Sequence, residues 1–409
     1  MASGVSQTPS FYSSAALHAA NSYAPSLESE KQEGMQSEEL QTIQPEAPPQ
    51  KSGPKLNSYS PALPSSPVTL TPPAPDDPHF LTPELTGEWE TVGVKSFYAD
   101  AEKALLVDVY YPAVQNGPPS YRILPPSPPK HPMNTDEIQD AGLKANLANL
   151  WTRSQPSLEA AEGKFPVVIF SHGMAYNHFD YAGILEELAS QGYYVFSISH
   201  PSSNGFSDLA KISYPEPPAS LEQVSPAIYT QANEILFLTQ KIKSSAFKET
   251  IGENIDIDRI GVMGHSLGGD SALQACKGHS DLIRTGIDLD SGCLKHIEQV
   301  EISQPFLSIG AKIGSYPEDP YEDAGEIWDG RTEWKRYKEK SVNAELEILD
   351  QATHNDFSVN PLFLERKTGE LNPTYRGVHK EACQLITNWF NKHLSLRCVP
   401  TGVAKHHRS

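Results

Sequence analysis

The chain has 409 residues and a formal net charge of −19, with 51 acidic side chains against 32 basic ones. This surplus of negative charge repels phosphate backbones, and the only basic cluster is the short tail at 405–408. The apolar runs fall well short of the roughly 18 residues that a membrane-spanning helix needs. We therefore expect neither a nucleic-acid partner nor a transmembrane segment.

The composition changes near residue 85. Residues 1–85 hold 14 of the 35 prolines, are rich in Ser, Gln and Glu, and show neither a helical nor a strand period. Such a segment buries too little apolar surface to offset the entropy lost on ordering. The sequence predicts a disordered arm over 1–85, one domain over 86–397 and a flexible tail over 398–409.

Two features bear on the compartment. The first 25 residues lack the charged and apolar regions of a secretory signal. The four cysteines are far apart and have no CxxC spacing, which indicates reduced or buried thiols and no zinc site, although a Cys383–Cys398 disulfide is an alternative. A cytoplasmic protein without a metal or cofactor is expected.

The domain opens with two β-rich segments, at 90–97 and 104–111. The continuous apolar run at 165–170 then suits a strand covered on both faces. Strands are predicted to follow at 193–198, 259–263, 286–290, 305–309 and 345–349, with helices at 181–191, 225–243, 270–276 and 381–394. This alternation predicts an α/β fold with a mostly parallel sheet and helices on both faces.

The segment 136–153 has the apolar spacing of an amphipathic helix. Its Leu and Trp side chains either pack on the core or form a lid or interfacial helix that touches lipid. Of these two interpretations, packing on the core is favoured.

The residues Gly264-His-Ser-Leu-Gly268 match the pattern G-x-S-x-G. In this motif the serine lies on a sharp turn from a strand into a helix, and the glycines permit the strained backbone. A predicted strand precedes the motif and helical spacing follows it, which predicts that Ser266 is a nucleophile. The alternative is a glycine-rich turn without chemistry.

A serine nucleophile needs a histidine base and an orienting carboxylate, which follow it in the order acid, then histidine. His354 lies in a loop after the last predicted strand and is the expected base. Asp290 ends the strand at 286–290 and is the favoured acid. One alternative acid is Asp288, which lies deeper on the same strand. Two others are Asp350 and Asp356, which flank the histidine in sequence.

Acyl transfer also needs donors for the oxyanion that develops. The backbone N–H of Leu267, directly after the serine, is one predicted donor. The second should come from the loop after an earlier strand, where Gly173 lets the chain turn and leaves the N–H of Met174 as donor. The alternative is a simple tight turn at this point.

These residues resemble the platelet-activating-factor acetylhydrolases of the plasma and intracellular type II class, within the α/β-hydrolase superfamily. The similar stretches lie between about residues 88 and 395, and comprise Val107–Pro112, Phe165–Gly173, Leu188–Tyr193, Gly264–Gly269, Gly286–Asp290 and His354–Phe357. The family places its acid after the strand that follows the nucleophile, which strengthens Asp290 over Asp288.

The resemblance implies a triad of Ser266, Asp290 and His354, with Leu267 and Met174 as oxyanion donors. It also implies Ca²⁺-independent hydrolysis of short or oxidised acyl esters, typically at the sn-2 position of a phospholipid, and peripheral contact with lipid surfaces. Two alternatives stay open. One is a general short-chain carboxylesterase or an enzyme resembling dienelactone hydrolase, and the other is a binding module on the same fold without catalysis.

Overall fold

The structure is a computed structural model. It describes residues 80–124, 135–136, 138–148, 150–174, 176–203, 221–244, 247, 252, 254–291, 302–312, 343–369 and 372–394. The predicted tail at 398–409 and residues 1–79 of the predicted arm lie outside these ranges. The packed chain begins before the predicted boundary at 86, because Leu81 is fully buried and its N–H donates to the carbonyl of Trp151 at 2.7 Å.

Within the described residues, ten strands form the central sheet. They are β1 (Val92–Asp100), β2 (Leu105–Val114), β3 (Gln155–Pro156), β4 (Glu159–Ala160), β5 (Phe165–Ser171), β6 (Tyr194–Ser199), β7 (Ile255–His265), β8 (Thr285–Leu289), β9 (Phe306–Ala311) and β10 (Ala344–Leu349). All eight strands predicted from the sequence are present. The strand β7 begins earlier than the predicted 259–263 because its first residues also pair with β5, before a shift in register at Pro166 and Val167.

The strand order is β10-β9-β8-β7-β5-β6-β2-β1-β3, with β4 paired to β2. The six strands from β10 to β6 are parallel, whereas β2 pairs antiparallel with both β6 and β1. The chain passes from β5 to β6 on one side of it and then crosses over to β7, which pairs with the other side of β5. The carboxyl ends of β5, β7, β8 and β10 therefore face the same edge of the sheet, which is where ligands bind in such folds.

The helices of the described ranges are α1 (Ala141–Ala148), α2 (Ala182–Ser190), α3 (Leu221–Lys243), α4 (Leu267–Cys276), α5 (Asn360–Thr368) and α6 (Pro373–Leu394), with a 3₁₀ turn at His354–Phe357. The predicted start of α3 at residue 225 is wrong, because the helix begins at Leu221 and contains Pro226. Similarly, α6 begins at Pro373 instead of 381, with the proline at its first position. No helix among the described residues is both long enough and apolar enough to cross a membrane.

The predicted two-sided burial of β5 is confirmed. Val167 and Ile169 pack in the apolar cluster that includes α3 and α4. Val168 and Phe170 pack in the opposite cluster with α2 and α6. All four side chains are inaccessible to solvent, and each contributes about 1.5–3 kcal/mol from burial. The mostly parallel α/β fold with helices on both faces is therefore as predicted.

The helix predicted at 136–153 is shorter in the structure, where α1 covers only Ala141–Ala148. Beyond it, the backbone pairs with neighbouring segments, since the Leu150 carbonyl accepts the Leu124 N–H at 2.9 Å and Trp151 forms bridges with two other segments. The side chains of Leu147 and Leu150 are buried in an apolar cluster with α5. This placement supports packing on the core over a lid.

Burial also lowers the pKa of one histidine in the core. His379 of α6 is buried against α2, where a Cβ on Gly183 would lie 2.9 Å from its Nε2 atom. Loss of solvent lowers the pKa of His379 to about 4, although the charge of Glu187 opposes the shift. Between this value and the ordinary histidine pKa of 6.5, the unfolded chain therefore binds a proton at His379 that the folded chain does not bind.

Acidification is thus expected to destabilise the fold through His379. The free energy of unfolding should fall by about 2 kcal/mol from this group between pH ~7.5 and ~5, and fall further towards its folded pKa. Urea unfolding at the two pH values should show a smaller loss for His379→Gln than for the wild-type chain. The control His279→Gln, at a partly exposed histidine, should keep the wild-type loss. Equal losses in all three proteins would contradict this assignment.

Candidate active site

Ser266 lies on a sharp turn between β7 and α4. Its backbone has φ 53° and ψ −127°, which L-residues rarely adopt. Its N–H donates to the carbonyl of Leu289 on β8 at 2.9 Å, which holds the strained residue at the sheet edge. Strain of this kind is characteristic of functional sites, and the turn has the geometry of a nucleophile elbow.

Two glycines let the chain turn this tightly. A Cβ on Gly264 would lie 2.0 Å from the carbonyl oxygen of Gly268. A Cβ on Gly268 would lie 2.2 Å from the carbonyl oxygen of Ser171, at the end of β5. Since these neighbours are backbone atoms, neither position admits a side chain without moving the elbow or β5.

Asp290 follows β8 at the same edge of the sheet. Its carboxylate is buried, and its Oδ1 accepts the N–H of Ala311 at 2.7 Å. Its Oδ2 lies 2.7 Å from Nδ1 of His354. The residue has φ 49°, so it too has a left-handed backbone, which aspartate tolerates better than most residues. The structure thus brings together the predicted acid and the predicted base.

His354 begins the 3₁₀ turn after β10, and a capping box fixes that turn. The N–H and hydroxyl of Thr353 both donate to Oδ2 of Asp356, at 2.6 and 2.9 Å. The ring of His354 packs on the ring of His265, the neighbour of Ser266, with 4.4 Å between centroids. This contact places the predicted base beside the elbow.

The alternative acids have other partners. Asp288 accepts the N–H of Ser291 at 2.9 Å and the hydroxyl of Ser308 at 2.8 Å. Burial and the nearby Asp270 raise the pKa of Asp288 well above its ordinary range, because both disfavour a charge on this carboxyl. Asp350 pairs with Lys312, and Asp356 caps the turn described above.

The loop after β5 lies against the elbow. A Cβ on Gly173 would lie 3.1 Å from Cβ of Ser266. The carbonyl of Gly173 lies 2.7 Å from Nδ1 of His172, whose Nε2 faces the N–H of His200 at 3.0 Å. A backbone N–H can only donate, so His172 accepts through Nε2 and donates from Nδ1. Burial and the neighbouring His200 lower the pKa of His172, consistent with this neutral form.

This bond orients the predicted oxyanion donor. The Gly173 carbonyl and the Met174 N–H belong to one peptide unit, and in a trans peptide they point in opposite directions. Holding the carbonyl on His172 therefore directs the N–H away from it. The other predicted donor, the N–H of Leu267, is at the first position of α4, where no earlier turn offers it a carbonyl.

Sequence reasoning missed Tyr181 at this site. Its hydroxyl lies 3.1 Å from the N–H of Gly173 and 2.8 Å from Nδ1 of His265. The position is at the start of α2, and no motif marks it. Within the described residues, no group of three or more His, Cys, Asp or Glu side chains is placed to hold a metal ion.

A mostly parallel sheet with a strained serine elbow, next to an Asp–His pair on the following loops, defines an α/β hydrolase. Residues 77–234 also match the family model of platelet-activating factor acetylhydrolase, isoform II. That match includes β5 and the loop to Met174 and ends before Ser266. The resemblance predicted from the sequence is confirmed: over these residues the chain is similar to the platelet-activating factor acetylhydrolases.

Two curated relatives support this relationship. The platelet-activating factor acetylhydrolase of Canis lupus familiaris is 28% identical over 188 residues, which are 38% of this chain and 42% of that protein. The one of Bos taurus is 25% identical over 185 residues, covering 38% and 41% of the two chains. The matches thus span about two fifths of the length of these relatives.

The fold has a solved counterpart in a ferulic acid esterase from Streptomyces cinnamoneus. The two structures superpose with a TM-score of 0.55, covering 76% of this chain and 92% of the esterase. At 19% sequence identity the likeness concerns the fold. The superposition therefore supports the α/β-hydrolase architecture across most of the described domain.

Proposed function

We propose that this protein is a serine esterase that acts on short-chain or oxidised acyl esters through Ser266, His354 and Asp290. The observation that carries the proposal is the 2.7 Å contact between Asp290 Oδ2 and His354 Nδ1 beside the strained serine elbow. A carboxylate in this position keeps the proton on Nδ1, which leaves Nε2 free to act as a base. Such an arrangement serves nucleophilic catalysis.

The reaction would proceed in two steps. Ser266 Oγ attacks the ester carbonyl carbon while His354 Nε2 takes the hydroxyl proton, and the oxyanion is held by the N–H groups of Leu267 and Met174. The intermediate collapses as His354 returns the proton to the departing alcohol, which leaves an acyl-enzyme. A water molecule activated by His354 then attacks the acyl carbon, and release of the acid restores Ser266.

The proposed substrate is the sn-2 acetyl ester of phospholipids that resemble platelet-activating factor. The relationship to the acetylhydrolases supports this class. The immediate surroundings are apolar, since Met174 and Leu267 share a cluster with Ile228 and Ala227 of α3. An apolar wall next to both proposed oxyanion donors suits a short acyl group.

A fluorophosphonate probe is expected to label the purified chain at a single site. Because the probe captures a serine activated by its base, mass spectrometry should place the adduct on the peptide that carries Ser266. Denatured protein, in which the triad is dispersed, should remain unlabelled. If the folded chain is not labelled, the non-catalytic binding module replaces the esterase.

A panel of acyl esters separates the substrate classes. Acetyl and butyryl esters should be turned over faster than long-chain phospholipid esters, and an sn-2 acetyl phospholipid should be hydrolysed without added Ca²⁺. Activity confined to soluble short-chain esters would favour a general carboxylesterase. A preference for long acyl chains would contradict the acetylhydrolase assignment.

A further inference from the structure

Two buried side chains, Tyr181 and His265, connect the loop after β5 to the loop that carries His354. The Tyr181 hydroxyl lies 3.1 Å from the Gly173 nitrogen and 2.8 Å from His265 Nδ1. His265 Nε2 lies 2.9 Å from the carbonyl oxygen of His354. Both side chains are inaccessible to solvent. The two ends of this chain of hydrogen bonds are the proposed oxyanion loop and the proposed base.

The groups at the two ends of this chain fix the direction of each hydrogen bond in it. The Gly173 N–H can only donate, so the Tyr181 oxygen accepts there. The His354 carbonyl can only accept, so the proton of a neutral His265 is on Nε2. Nδ1 of His265 is then an acceptor, and it takes the hydroxyl proton of Tyr181. Every donor is matched to an acceptor in one neutral arrangement.

The surroundings favour this neutral arrangement. Burial and the nearby His354 lower the pKa of His265 well below its ordinary range. The ring is also enclosed by aromatic neighbours, with Tyr176 at 5.4 Å and Phe357 at 5.8 Å between centroids. These ring contacts hold the imidazole of His265 in place between the two loops.

We propose that Tyr181 and His265 are positioning residues, which hold the oxyanion loop and the catalytic histidine in register across the elbow. This inference rests on the proposed esterase function. Neither side chain reacts: Tyr181 fixes the nitrogen of Gly173, and His265 fixes the backbone of His354. An interaction that holds both loops at once matters most in the transition state, when oxyanion donors and base act together.

The test compares Tyr181→Phe with Tyr193→Phe. Both remove one hydroxyl from a fully buried tyrosine, and that of Tyr193 donates to Asn391 Oδ1 at 2.6 Å, away from the elbow. For Tyr181→Phe we expect kcat for p-nitrophenyl acetate to fall about tenfold with KM little changed. Affinity for a trifluoromethyl ketone, which mimics the tetrahedral intermediate, should fall in parallel. Tyr193→Phe should keep wild-type kcat and ketone affinity.

A double-mutant cycle with His265→Gln tests the connection itself. Both single substitutions remove the bond between Tyr181 and His265, so the double variant should lose less than the product of the two single losses. Independent, multiplicative losses would overturn the proposal, as would wild-type kcat in a folded Tyr181→Phe variant or an equal loss in Tyr193→Phe. Failure of the esterase function is distinguishable, because the wild-type chain would then show no turnover that depends on Ser266.

Discussion

Replacement of Ser266 by alanine is expected to reduce ester turnover by about 10⁴-fold or more. The reason is that the acyl group then has no oxygen to which it can transfer, and only the oxyanion donors and the binding surface remain. The fold should be retained, because alanine tolerates the left-handed backbone at φ 53° no worse than serine does. Initial rates with p-nitrophenyl acetate, together with the midpoint of urea unfolding, measure both effects.

The matched control is Ser190→Ala, at a buried serine that ends α2 and donates to the carbonyl of Glu187. It removes the same oxygen from a site away from the elbow, and its rate should stay within about twofold of wild type, with any loss appearing in stability. A Ser266→Ala variant that still turns over ester would end the nucleophile assignment.

Replacement of Asp290 by asparagine is expected to lower kcat by about 10³- to 10⁴-fold, as known for the equivalent change in serine proteases. The asparagine carbonyl oxygen can still accept the Ala311 N–H, and its NH₂ group then faces Nδ1 of His354. That contact moves the imidazole proton to Nε2, which can no longer accept the proton of Ser266. The left-handed backbone at φ 49° suits asparagine, so the loss should be kinetic with little change in stability.

Asp288→Asn supplies the control for this prediction. Burial raises the pKa of the Asp288 carboxyl and so disfavours its charge, and asparagine has nearly the same size and no charge. Its amide can keep contacts with Ser291 and Ser308, so kcat should stay near wild type. The reverse result, with Asp288→Asn inactive and Asp290→Asn active, would assign the orienting acid to Asp288.

Local patterns were sufficient to predict much of this protein. The apolar run at 165–170 predicts a strand buried on both faces because both of its alternating sets of side chains are apolar, and β5 packs in this way. The pattern G-x-S-x-G predicts the elbow because few other sequences permit so tight a turn. Helix ends were less predictable, as α1 and α3 show, since hydrogen bonds and packing against distant segments decide where a helix begins and ends.

The amino-acid sequence by itself determined the α/β class, the position of the elbow, a short list of candidate acids and the expected base, because these depend on residue type and spacing. The tertiary structure decided which groups meet. It pairs Asp290 with His354, gives Asp288 and Asp356 other partners, and connects Gly173 to His354 through Tyr181 and His265. Residues far apart in the chain make these contacts, and only the order and register of the parallel strands bring them to one edge.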